Sequence, residues 1–169
     1  MQTASHQALH LDVKTLARER GAHRPRHPLM PPAVLAFTRY WMRLSQTRPP
    51  RWSLFHMIDV QDIAPYVTVL RCDGGSAFTV EFMGSAVATM LGEDLTGTRV
   101  TQASPTFADI DWFERCRAAI AHHDVVVSNG SATPKHTSRI DFVAADYPFM
   151  DDAGVDVSRV VALTVATVN

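Results

Sequence analysis

A hairpin in the middle of the chain decides what the rest can become. Tyr66 to Cys72 is rich in β-branched residues, and Ala77 to Gly84 alternates, with Phe78, Val80 and Phe82 on one face and Thr79 and Glu81 on the other. A period of two marks a half-buried strand. Between the runs stand Asp73-Gly74-Gly75-Ser76; the two glycines take the positive φ of a tight turn without a Cβ clash. Strands joined this closely pair antiparallel. A two-stranded ribbon is only marginally stable by itself, so the flanking segments must add strands and a covering layer.

On the N-terminal side, Pro32 to Ser45 reads as a helix. Proline suits its first position, where the missing N–H had no partner. Val34, Phe37, Trp41 and Leu44 recur at 3, 4 and 3, one apolar stripe that Tyr40 widens. The stripe must be buried against the sheet or a second subunit, and Phe37, Tyr40, Trp41 and Leu44 are its candidate interface residues. Asp59 reads as the N-cap of a short helix ahead of the first strand. Residues 1–32 carry five basic groups against two acidic ones, broken by Pro25, Pro28, Pro31 and Pro32. They read as a flexible basic segment, leaving 33–169 as the folded domain, its helix at 33–47.

On the C-terminal side, Ser85 caps a short helix that Gly92 closes. Glu93 to Thr98 is a turn. A second helix opens near Asp111, with Trp112, Phe113, Cys116, Ala119 and Ile120 on its apolar side and His122 and His123 at its end. Val125-Val126-Val127 is a strand ended by Asn129-Gly130, another begins at Arg139, Asp151 to Gly154 turns, and Val157 to Val168 is a long β-branched strand. Without βαβ alternation a doubly wound parallel sheet is not expected. The expected fold is α+β: a five-stranded antiparallel sheet, covered on one face by the short mid-chain helices, plus an N-terminal helix.

Charge and cysteines restrict the function. The formal net charge is −1, which makes no case for nucleic acid or an anionic membrane. No apolar run approaches the ~20 residues that span a bilayer, and Met1 to His10 is too polar for a signal-peptide core. Cys72 and Cys116 show no metal-ligand spacing and suit a reducing, cytoplasmic compartment. Asp151, Asp152 and Asp156 fit a polar hairpin turn, Asp73-Gly74-Gly75 precedes no helix that would make it a phosphate cradle, and Ser85 and Ser104 have no His and Asp at catalytic spacing. An enzyme is not expected.

The motifs carry a resemblance. Tyr40-Trp41 on the first helix, Pro50-Arg51, Asp59 before Ile63, Gly84 ending the second strand, Leu95-Thr96-Gly97 and Tyr147-Pro148-Phe149 occur in this order. In that order the chain resembles a bacterial subgroup of small PAS proteins over roughly 130 residues. It departs from that subgroup at Val60, where proline is usual, and at Glu81, where arginine is usual. The resemblance implies a sensory or regulatory domain in signal transduction, binding ligands between sheet and helices and forming a homodimer or docking on a signalling protein. With no output domain after Asn169, the signal is expected to pass by association. The candidate pocket is lined by Phe78, Val80, Phe82, Met90, Leu91, Trp112, Phe113, Cys116, Phe142 and Leu163, with Cys116, Thr89 and Tyr147 as polar groups; either these side chains fill the space themselves or it takes a small apolar metabolite. Haem needs an axial ligand in the pocket, whereas His122 and His123 fall at a helix end and His56 before the sheet. Cys116-Arg117 lacks the Asn-Cys-Arg motif of flavin-binding relatives. No cofactor is expected.

Overall fold

The hairpin forms as expected in the computed structural model, which describes residues 30–45, 49–104, 112–133 and 138–167. Strand β1 (Val67–Cys72) pairs antiparallel with β2 (Phe78–Met83), and Gly74 and Gly75 sit in the turn at φ +68° and +78°. The Asp73 carboxylate accepts hydrogen bonds from the Thr79 hydroxyl at 2.5 Å and Arg71 Nε at 3.1 Å, closing the loop.

Four more strands extend the sheet: β3 (Arg99–Val100), β4 (Val126–Ala132), β5 (Ile140–Met150) and β6 (Val157–Thr167). The order is β3-β2-β1-β6-β5-β4, and every pairing is antiparallel. The expected count of five is therefore corrected to six among the described residues. The extra strand is a two-residue edge piece at the end of the predicted turn, held by Val80 N–H donating to the Thr98 carbonyl at 2.9 Å. Asn129-Gly130 does not end β4. The Phe142 ring lies against the Gly130 Cα from the paired strand, so glycine stays in the ladder with its bare backbone covered.

Helix α1 (Pro32–Leu44) packs on one face of the sheet; α2 (Ser85–Leu91) and α3 (Trp112–His122) pack on the other. Both faces are thus covered, which is why β5 is buried over eight successive residues. The inner face, toward α2 and α3, holds one apolar cluster and the outer face, toward α1, a second. Between α1 and β1 the chain makes 3-10 turns at Trp52–Leu54 and Met57–Tyr66, with aromatic pairs Trp52–Phe55 and Phe55–Phe149 at 4.9 and 5.6 Å.

Two capping expectations are corrected. Asp59 lies inside the 3-10 stretch and its carboxylate accepts from the Tyr40 hydroxyl at 3.4 Å instead of capping. Gly84, not Ser85, is the N-cap of α2. Gly84 is required for another reason: a Cβ there would overlap the backbone carbonyls of Ala64 and Pro65. Gly92 closes α2 in the left-handed region as expected. The expectation of a flexible segment at 1–32 falls, as far as residue 29, outside the described residues.

Candidate functional site

The space between the inner face and α2 and α3 was the expected site, and most of its residues arrive there. Phe78, Val80, Met90, Trp112, Phe113, Cys116 and Phe142 are buried in the inner cluster, with Leu91 half-buried against it. Phe78 and Phe113 meet edge to face at 5.6 Å.

Phe82 and Leu163 do not join them; both lie on the outer face. For Phe82 the cause is a bulge. Val69 pairs with Phe82 but Leu70 pairs with Val80, so Glu81 is an extra residue in β2. The extra residue shifts the alternation by one, sending Phe82 outward and Met83 inward. For Leu163 the cause is its register opposite Val67, an outward residue of β1.

The candidate interface of Phe37, Tyr40, Trp41 and Leu44 is also corrected. Phe37, Tyr40 and Trp41 are buried within the chain and Leu44 is half-buried, all in the outer cluster. The sheet, not a second subunit, takes this stripe. Trp41 Nε1 donates to the Pro148 carbonyl at 3.0 Å. The Thr38 and Tyr147 hydroxyls lie 2.8 Å apart, each within reach of the Val34 carbonyl at 2.8 and 3.1 Å. Each has one proton, so one donates to the carbonyl and the other donates to it. Burial raises the Tyr147 phenol far above its ordinary range. Tyr147 is therefore an anchor for α1 and not a pocket group, and Thr89 is exposed on α2.

Inside, the polar chemistry comes from residues the sequence reading passed over. Arg115 on α3 donates through Nε and Nη2 to the Asp146 carboxylate of β5 at 2.8 and 3.1 Å. The two side chains are 6% and 0% exposed. Such a forked, desolvated pair ties helix to sheet in one geometry. The one sequence signal for it was an aspartate inside an otherwise apolar strand, which demands a partner. Beside the pair, burial, with Asp146 adding to it, holds the Cys116 thiol well above its usual range, and burial pushes Cys72 up to about 12. Both are inert thiols under ordinary conditions.

Glu81, the charge-reversed position of the resemblance, points outward. It accepts from Arg159 Nε and Nη2 at 2.8 and 3.2 Å and from Arg71 Nη1 at 3.4 Å, while the Arg159 guanidinium lies 4.9 Å from the Trp52 ring. Asp151 and Asp156 close the β5–β6 turn through the Asp151 N–H and the Asp156 carbonyl at 2.7 Å, with Asp151 Oδ1 accepting from Val155 N–H. Among the described residues no three His, Cys, Asp or Glu side chains converge as a metal site would require, and no helix is long and apolar enough to cross a membrane.

No family model matches the chain, and no curated protein matches it. Among solved structures, a match is found to one described as an RNA-binding light-oxygen-voltage receptor, at 15% identity and a TM-score of 0.46, covering 86% of this chain and 36% of that chain. The chain thus spans about a third of the length of that receptor.

Proposed function

We propose that the chain is a PAS-type sensory and regulatory domain that acts in signal transduction through protein–protein association, first as a homodimer, and that it is not an enzyme. The observation that carries the reading is the sheet order β2-β1-β6-β5-β4, all antiparallel, with both mid-chain helices laid over one face. The motifs from Tyr40-Trp41 to Tyr147-Pro148-Phe149 fall on this scaffold in the order of the resemblance. The chemistry of the interior supports sensing over catalysis. Among the described residues, the buried ion pair of Arg115 with Asp146 ties helix to sheet, and burial raises both thiols above their usual range. The formal charge of −1 favours a protein partner over a nucleic acid, and two free cysteines fit the cytoplasm.

Size-exclusion chromatography with light scattering tests the association. A mass near twice 18.7 kDa that falls on dilution is expected. A mass of one chain at every concentration refutes the homodimer, and affinity capture from the native host then tests docking on a different protein.

A further inference from the structure

The two edges of the sheet are built differently. At one end β3 is two residues long and carries the exposed Arg99. Shortness and charge both keep another strand from pairing there. At the other end β4 runs for seven residues in unbroken register with β5, without a bulge. It holds no charged residue and no proline. Each of the other strands carries a charge: Arg71 in β1, Glu81 in β2, Arg99 in β3, Asp141 and Asp146 in β5, and Arg159 in β6. The devices that ordinarily blunt an edge are therefore missing from β4.

Pairing with β5 uses about half of the N–H and C=O groups of β4, because successive residues turn them to opposite sides. The other half face the open edge. No backbone hydrogen bond joins them to another element among the described residues. Such a row is a template for one more strand.

The side chains select the strand that fits. Asn129 is the midpoint of β4. A two-fold axis through it lays two copies antiparallel over all seven residues, and any other centre shortens the ladder. On the inner face Val126 of one copy then meets Ala132 of the other, and Ser128 meets Gly130. On the outer face Val127 meets Ser131. Asn129, which is exposed, meets its own copy, and two amides, each with donor and acceptor, can bond reciprocally. No like charges meet along the ladder.

We propose that the homodimer forms through β4, which pairs antiparallel with β4 of a second copy about Asn129 and joins the two sheets edge to edge. The inference rests on the homodimer reading above and names its surface.

The axis makes the test sharp, because one substitution at Asn129 sets two like charges opposite each other, with Cα atoms about 5 Å apart. Asn129→Asp and Asn129→Lys should each raise the dimer dissociation constant by about tenfold or more, read by light scattering across a dilution series. The far-UV circular dichroism should be unchanged, because the side chain is exposed. An equimolar mixture of the two variants should recover a dimer holding one of each, identified by native mass spectrometry. Amide exchange in β4 should be slow in the wild-type dimer and fast in either variant alone. A dimer that survives both single variants overturns the proposal and leaves the homodimer standing on another surface. A mixture that stays monomeric also overturns it. So do β4 amides that remain slow in a monomer, since the chain's own residues would then cover the edge. A wild type that is monomeric at every concentration removes the homodimer reading as well.

Discussion

Replacing Asp146 by valine tests how α3 is fastened to the sheet. The substitution removes a carboxylate that holds the Arg115 guanidinium, 6% exposed, at 2.8 and 3.1 Å. Breaking a buried pair from one side costs about 3–5 kcal/mol, whereas exchanging both partners for apolar residues of similar volume is often neutral. For a chain of this size 1 kcal/mol moves the melting temperature by roughly 2–4 °C. Asp146→Val should therefore lower it by roughly 6–20 °C, and Arg115→Met/Asp146→Val should recover most of the loss. Urea melts of the wild type, both single variants and the double variant close the cycle and give the coupling directly. The single-variant loss should persist from low to high salt, because buried charges are screened weakly. An exposed pair such as Arg139–Asp141, at 70% and 35% exposure, should contribute little at any salt. If Asp146→Val melts within about 1 kcal/mol of the wild type, or the double variant is no better than the single, the pair is not the tie described here.

Gly84→Ala should cost about 3 kcal/mol in urea melts, since its Cβ would meet only backbone at Ala64 and Pro65. Gly74→Ala, strained by φ +68° but with open space around it, should cost about 1 kcal/mol, and the reverse ranking refutes the account. Trp41→Ala should cost on the order of 3 kcal/mol and speed amide exchange in α1; unchanged melting and exchange would mean that α1 is not anchored through this ring. Alkaline titration has a defined sign. Burial raises the Cys116 thiol above its ordinary 9.0 and the Tyr147 phenol above its ordinary 10.0, so the unfolded chain ionises first. Stability is full below about pH 9 and falls above it, by about 1.4 kcal/mol per pH unit for each group past its unfolded pKa. Cys116→Ala and Tyr147→Phe should each flatten that slope in melts from pH 8 to 11, and an unchanged slope in both would refute the assignment.

What could be read from sequence was what local chemistry decides. Gly74-Gly75 and Gly92 announced their turns because only glycine takes those angles cheaply, and the spacing of Val34, Phe37 and Trp41 announced a helix with one buried side. Which surface that side meets was not local information, since a stripe for a sheet and a stripe for a subunit look alike in sequence. Leu163 ends the run Val160 to Leu163, which is apolar on both faces and has no alternation to read. Phe82 did alternate, but a bulge leaves no mark in the letters when the extra residue, Glu81, is polar like its outward neighbours. Asp146 was hidden for the opposite reason: its partner lies 31 residues earlier on another element. Eight of the ten expected lining residues nevertheless reached the inner face, because helix and strand periodicity fixes facing wherever neither is interrupted.

The bulge also affects how this protein can be compared with others. Glu81 is an inserted residue within a strand, so a relative whose second strand runs straight has no equivalent for it. A gap-free alignment through Val80 would set Phe82 beside an inward position and make a change of geometry look like a change of chemistry. The arginine expected at this column is therefore better sought in three dimensions. On β1 and on β6 beyond it, Arg71 and Arg159 already supply the positive charge that Glu81 receives.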